Sequence, residues 1–485
     1  MEQNRYIAAI DLGTSKLALC IATIDDKNAD IVFYKECPSN GISRSSVQNV
    51  KNTTASLEGL IKYAENELGI KITQAVVGLP KYYIRQETKS AEMTLDDNKE
   101  ITREEVKALM DMAKQKVIIN DGNIESIYGA IAQSYSDGED FQVSEMEIIG
   151  RYSNHLEGNF KIMIGKKNYL TNIENVFSKL SICPIRRYFT ADSTAEAVLN
   201  KAEMENGVAL VDLGGGATSV AVYQGSILRH YASIPFGGLN ITLDIKQECA
   251  ISQELAENIK KGFGICMPEK LQNMREKVLQ ICGDGPDPDT QIPVKYLSEI
   301  ITARMQEIID AVLYEIQQSG FADKIRSGIV ITGGGVELGN CTTMFQEMSG
   351  YNVRTGYPKN KFATSCSGIK DVSAAVCAGL ILMAKEEHNL NCATQAEENV
   401  KTAPLKIETK HDGELPFDEI PEEEIKDKPR QPYEKTPRKE PGRSFWGGIR
   451  KTGTKPQTPQ ETGARLVKEG KERLKGLLFD EEEKA

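Results

Sequence analysis

Two segments of this chain end an apolar strand on an aspartate and follow it with a turn built for close approach. They are Ala8-Ala9-Ile10-Asp11-Leu12-Gly13-Thr14-Ser15-Lys16 and Ala209-Leu210-Val211-Asp212-Leu213-Gly214-Gly215-Gly216-Ala217-Thr218. Turn glycines let backbone N–H groups reach phosphate, and the hydroxyls of Thr14, Ser15 and Thr218 add donors. A carboxylate repels a bare phosphate, so Asp11 and Asp212 make chemical sense with Mg²⁺ between them, an ion that takes oxygen ligands and keeps its waters. Either turn alone is also ordinary hairpin chemistry. Two matched copies imply two related half-molecules facing one cleft and pinching a Mg·nucleotide. A third glycine turn, Gly333-Gly334-Gly335, ends the β-branched run Ile329-Val330-Ile331-Thr332 and suits a strand that hands over to a helix at a ligand crevice.

The elements that must position these turns follow from periodicity. Residues 6 to 36 read as three short strands broken at Asp11 and at Asp25-Asp26-Lys27-Asn28. Leu57, Leu60, Ile61, Ala64 and Leu68 share one helical face, with Gly69 as the stop. Strand Ala75 to Leu79 closes a first βββαβ unit. Thr102-Arg103-Glu104-Glu105 opens a helix with a capping box inside an inserted subdomain. Strand Lys161 to Ile164 and helices Tyr169 to Leu180 and Asp192 to Ala202 then lead to the second hairpin. The second half carries its own insertion, with helices Ser252 to Lys261 and Val294 to Gln318. A small-residue helix, Val372 to Lys385, ends the folded body by tight packing. The predicted class is α/β, with two related halves each holding an inserted subdomain.

At 485 residues and 40% hydrophobic content the chain can fill more than one core. A net charge of -11 argues against nucleic acid as a partner of the body. The ten cysteines form no CxxC pair and the four histidines lie far apart, which suits reduced packing thiols and gives no zinc site. No signal peptide and no run of about 18 apolar residues is present, so neither secretion nor a membrane span is expected.

Beyond about Cys392 the composition changes, and half of the 18 prolines fall between Pro404 and Pro459. Residues 393–463 read as a disordered Pro-rich linker, acidic first and basic later. In the stretch 464–479, Leu466, Val467, Leu474, Leu477 and Leu478 share one helical face, and Lys468, Lys471 and Lys475 supply charge for anionic lipid. A docking helix is the competing reading, and Gly470 and Gly476 each cost about 1 kcal/mol of helix propensity. The acidic end Asp480-Glu481-Glu482-Glu483 opposes lipid binding.

In order and spacing, the three turns resemble the actin, Hsp70 and sugar-kinase ATPase superfamily. Within it, Ala256-Glu257-Asn258-Ile259-Lys260 with the following glycines, and Ile234-Pro235-Phe236-Gly237-Gly238, resemble the FtsA family of actin-like bacterial division proteins. The resemblance implies an actin-like ATPase fold of two RNase H-like halves, with ATP and Mg²⁺ as cofactors. Gly13, Thr14, Ser15 and Lys16 would hold phosphates from one side, and Gly214, Gly215, Gly216 and Thr218 from the other. Asp11 and Asp212 would hold the ion through water. Gly238, Glu257 and Lys260 would meet the ribose or adenine, and Gly333, Gly334 and Gly335 would pass beneath the nucleoside. Glu196 falls where relatives orient an attacking water, with slow ATP hydrolysis at most. Read on its own, Glu257 and Lys260 are a solvated helix pair.

The implied layout is subdomain 1A in residues 1–79 and 161–205, 1C in 80–160, 2A in 206–238 and 321–392, and 2B in 239–320. The implied role is to polymerise, to bind the C-terminal peptide of FtsZ through 2B, and to tether it to the cytoplasmic face of the inner membrane at the septum with other divisome proteins. The alternatives are a sugar-kinase phosphotransferase, for which no base outside the paired turns stands out, and an Hsp70-like reactivase, which wants a peptide-binding domain where this chain has a linker.

Overall fold

The protein was analysed as a computed structural model, which describes residues 5–25, 28–119, 122, 124–281, 290–359 and 361–395. The Pro-rich linker beyond Gln395 and the amphipathic stretch 464–479 lie outside the described residues. Among the described residues no helix is long and apolar enough to cross a membrane.

Two sheets share one plan. In the first, β1 (Arg5–Leu12), β2 (Lys16–Ile24) and β3 (Ala29–Pro38) run antiparallel, and β4 (Gln74–Gly78) and β5 (Cys183–Tyr188) add in parallel on the other side of β1, giving the order β5-β4-β1-β2-β3. In the second, β6 (Val208–Leu213), β7 (Thr218–Gln224) and β8 (Ile227–Ile234) run antiparallel, and β9 (Ile329–Thr332) and β10 (Val353–Thr355) add in parallel beside β6, giving β10-β9-β6-β7-β8. The registers Leu12↔Leu17 and Leu213↔Thr218 leave four residues in each first turn, Gly13–Lys16 and Gly214–Ala217. Both parallel pairs end their strands on the same side as these turns, where ligand crevices form in sheets of this kind.

The central strands are nearly continuous apolar runs because helices cover them. Helix α1 (Val50–Leu68) starts on the Asn49 side chain, which accepts from Asn52 N–H, and stops at Gly69 in the left-handed region, as its sequence predicts. It buries Leu57, Leu60, Ile61 and Ala64 in the first core. The second core forms around Val211, Ile331, Ile308 and Phe345, with the helix Val294–Gln318 across it.

The chain passes from the first half to the second through α2 (Thr190–Val198) and a short helix, Lys201–Asn206. One helix over Asp192 to Ala202 was the expectation. The break comes because Leu199 is extended and Asn200 starts a new helix, its N–H donating to Glu203 Oε2 at 2.7 Å. The chain returns past Lys359, adds Ala363–Thr364 to the free edge of β3, and ends in the small-residue helix Ala375–Lys385. That helix lies against α2, and a side chain at Gly379 would collide with the Ser193 carbonyl, which is the tight packing its composition predicts.

Between β4 and β5 stands a separate three-stranded antiparallel sheet of Ile84–Glu100, Glu125–Ser136 and Tyr152–Lys166, with Tyr152–Lys166 in the middle. The helix Arg103–Gln115 covers it and carries the expected Thr102–Glu105 capping box. Tyr152–Lys166 is far longer than the strand read at Lys161 to Ile164, and it runs through residue 160 without a break. Its inward set Leu156, Phe160, Ile162 and Ile164 keeps the strand period of two throughout.

Candidate functional site

The two aspartate turns meet tip to tip over a cavity of about 1170 Å³ between the halves. The first turn carries side chains and the second does not, and contact explains why. A Cβ at Gly216 would lie 2.5 Å from Thr14 Oγ1 and 2.7 Å from its Cγ2, and one at Gly215 would overlap Ser15 Oγ. Thr14 is itself held, since its Oγ1 accepts from Ser45 N–H at 2.9 Å.

The second turn is secured from behind by the start of α3 (Gly238–Cys249). Gly238 N–H donates to Gly214 O at 2.9 Å and Leu239 N–H to Gly215 O at 2.7 Å. The third glycine turn sits beside it. Gly333 has φ 89°, and a side chain there would come within 2.6 Å of Asp212 Oδ1.

The charges are concentrated at the cleft floor. The Lys81 ammonium pairs with Asp212 Oδ2, both side chains being almost fully buried. Burial alone would lower the Lys81 pKa, but the carboxylates of Asp212 and Asp11 outweigh it and the ammonium is held charged. Asp11 shows the converse. Burial pushes its carboxyl up, and Lys81 and Lys16 only partly offset this. Lys16 pairs with Glu36 at the rim.

On the far wall, α4 (Gln253–Phe263) starts on Ser252 and turns Glu257 and Lys260 inward. Lys260 Nζ donates to Glu257 Oε2 at 2.6 Å, Thr242 Oγ1 at 2.8 Å and the Gly238 carbonyl at 2.9 Å. Burial lowers the Lys260 pKa. It would raise that of Glu257, but the bonds from Lys260 and Thr242 reverse the sign and hold it low. The pair is therefore a built part of the wall rather than a solvated helix pair.

Comparison with known proteins decides the family. The FtsA family model, described as cell division protein FtsA, matches residues 209–378. The cell division protein FtsA of Neisseria meningitidis serogroup B is 30% identical over 362 residues, which take in 74% of this chain and 85% of that protein. The chain belongs to the FtsA family of cell-division proteins. The FtsA of Bacillus subtilis is similar at 27% identity, over 79% of this chain and 84% of its own length. Among solved structures, the PilM-PilN type IV pilus biogenesis complex shares the fold, with a TM-score of 0.56 and 13% identity over 78% of this chain and 98% of that one. The duplicated α/β halves are those of an actin-like ATPase fold.

For this FtsA-family chain, most residues expected at the site do converge. Asp11, Gly13, Thr14, Ser15, Lys16, Asp212, Gly214, Gly215, Gly238, Glu257, Lys260, Gly333, Gly334 and Gly335 all line the one cavity. Gly216 is turned away from it, against Thr14. Thr218 is fully buried and its hydroxyl donates to Phe236 O at 2.8 Å, so it holds the second turn's support loop and offers nothing to the cleft. Glu196 is corrected more sharply. It is exposed on the outer side of α2, where its carboxylate takes Lys361 Nζ at 2.5 Å, and it lines a different, smaller cavity. Helical phase explains this: six residues apart, Thr190, which faces the cleft, and Glu196 point about 120° apart around α2. The leucines, valine and lysines of the stretch 464–479 are outside the described residues.

Lys81 is the residue that sequence reading missed. Its signal was present, because Pro80-Lys81 follows the carboxyl end of parallel strand β4, where ligands meet such sheets.

Proposed function

We propose that this chain is an ATP-binding, filament-forming division protein that links the tubulin-like polymer FtsZ to the cytoplasmic membrane. The observation that carries the reading is the opposed pair of glycine turns closing over Asp11 and the buried Asp212. The residues suit a Mg·nucleotide. The tip-to-tip contact brings turn residues of both halves to the lining of one space, and turns of this kind bind anions through backbone N–H groups. Among the described residues no cluster of three or more His, Cys, Asp or Glu side chains occurs, so a cation there would complete its shell from phosphate oxygens and water, as Mg²⁺ prefers. Bound Mg²⁺ would supply charge neutralisation to the phosphates.

The chain's own residues would do the rest. Asp11 and Asp212 would hold the ion's waters, and Gly13 to Lys16 and the Gly214-Gly215 backbone would grip phosphate from either side. Lys81 would keep the floor electrically balanced. Gly238, Glu257, Lys260 and Gly333 to Gly335 would seat the nucleoside. Closure of the halves on nucleotide would bias filament state by favouring one arrangement. In this reading residues 239–320 hold the FtsZ C-terminal peptide and the stretch 464–479 lies on anionic lipid, with assembly supplying the avidity that one short helix lacks.

Two measurements test it. Calorimetry with Mg·ATP should give binding, and silence at millimolar nucleotide overturns the cleft. Liposome co-sedimentation with FtsZ should recruit polymer with the full chain and fail with a chain ending near Lys455. Equal recruitment by both removes the tail from the mechanism.

A further inference from the structure

Among the described residues, one buried side-chain oxygen has no hydrogen-bond partner: Ser39 Oγ. Its position is fixed by strand pairing. The β2–β3 register sets Pro38 opposite Lys16, and one residue on, Ser39 N–H donates to Ser15 O at 3.3 Å. The Ser39 backbone is thus committed to supporting the first turn, while its hydroxyl is committed to nothing. The residue lines the main cavity together with Ser15 and Lys81.

The second half shows what a fully bonded version of this place looks like. The equivalent register sets Ile234 opposite Thr218, and the chain that follows β8 is tied to its turn three times, by Thr218 Oγ1 to Phe236 O and by the N–H groups of Gly238 and Leu239 to the carbonyls of Gly214 and Gly215. In the first half the same stretch makes the single Ser39–Ser15 backbone bond. An unmatched buried hydroxyl penalises the ligand-free protein, and an acceptor brought to it removes the penalty. With no bond to break, Ser39 can turn about χ1 toward the cavity at little cost.

Resting on the nucleotide reading above, we propose that Ser39 Oγ donates to a terminal phosphoryl oxygen of a nucleoside triphosphate and so makes the cleft distinguish triphosphate from diphosphate. The direction follows from the two ends of the cavity. Glu257 and Lys260 form the wall on the second half, where the nucleoside is seated. Ser39 lies at the first turn, bonded through its N–H to Ser15 O, and that turn carries the side chains that would meet phosphate. Ser39 is a positioning and specificity residue here, and no bond is made or broken by it.

The test uses the full chain and its Ser39→Ala and Ser39→Thr variants, with melting temperature read without ligand and affinity for Mg·ATP and Mg·ADP read by calorimetry. Removal of the orphaned hydroxyl should raise the ligand-free melting temperature while Mg·ATP affinity drops about tenfold, the size of one lost charge-assisted hydrogen bond. Mg·ADP affinity should stay unchanged, and Ser39→Thr should keep the preference for ATP. Equal affinities of wild type and Ser39→Ala for Mg·ATP, or equal losses for both nucleotides, overturn the proposal and leave the nucleotide site standing. Wild-type protein that binds neither nucleotide overturns the site itself.

Discussion

The two aspartate turns begin from the same plan and end chemically unlike each other. The first is dressed with Thr14, Ser15 and Lys16, while the second is bare backbone over Gly214, Gly215 and Gly216. Had both been dressed they could not meet, since Cβ atoms at Gly215 and Gly216 fall on Ser15 and Thr14. A duplicated hairpin therefore divides its labour: the first half brings side chains and the second brings close backbone. Lys81 extends the rule, because it is a first-half ammonium laid on the second half's Asp212.

That division is broken most severely by Lys81→Met. Asp212 would be left buried without its ammonium, which costs about 3–5 kcal/mol when one partner of a buried pair is removed. Thermal denaturation should show a large drop in melting temperature, and millimolar Mg²⁺ should restore part of it. A variant as stable as the parent would mean that Lys81 and Asp212 do not form a buried pair.

A second junction between the halves is set by pH. Asp192 on α2 accepts from the hydroxyl of Tyr223 on β7 at 3.0 Å, and burial pushes its carboxyl up to about 6, with the Tyr223 bond pulling back only in part. A carboxyl whose folded pKa exceeds its unfolded value binds a proton on folding between the two. Stability from this group is therefore present below about pH 4, lost as pH rises to about 6, and absent above. Asp192→Asn keeps the acceptor and removes the charge. It should match wild type near pH 4 and exceed it above pH 6, by roughly 2–3 kcal/mol at most. Parallel stability curves across that range would show that Asp192 is solvated.

Gly216→Val sharpens the contrast between the turns. Overpacking against Thr14 should cost about 1–3 kcal/mol, or hold the halves apart and weaken nucleotide binding. The double variant Thr14→Gly with Gly216→Val moves the side chain to the other turn. Recovery in the double would show that the halves need one dressed turn and one bare turn, whichever carries which.

How much of this was legible depended on whether a signal was local. The hairpins, α1 with its Gly69 stop, the Thr102 capping box and the small-residue closing helix all declare themselves within a turn or two of their own sequence. The roles of Thr218 and Glu196 could not be read that way. Whether a hydroxyl two residues beyond a glycine turn faces ligand or carbonyl depends on Phe236, 18 residues later. Lys81 was hidden because a lysine after a proline has no periodicity, and only the parallel pairing of β4 with β1 brings it to Asp212.

Glu196 gives the smallest expected effect and the plainest check on the geometry. Its carboxylate and the Lys361 ammonium are 47% and 37% exposed, and such surface pairs contribute about 0–1 kcal/mol. Glu196 and Lys361 join the two stretches where the chain crosses between halves, so the pair sits at the joint and not at the phosphates. Glu196→Gln keeps the shape and a hydrogen bond to Lys361. It should move the melting temperature by a degree or two and leave Mg·ATP affinity and turnover as they were. A tenfold fall in turnover with affinity intact would require α2 to rotate by about a third of a turn and carry Glu196 into the cleft, displacing Thr190 from its bond to the Leu79 carbonyl at 3.2 Å.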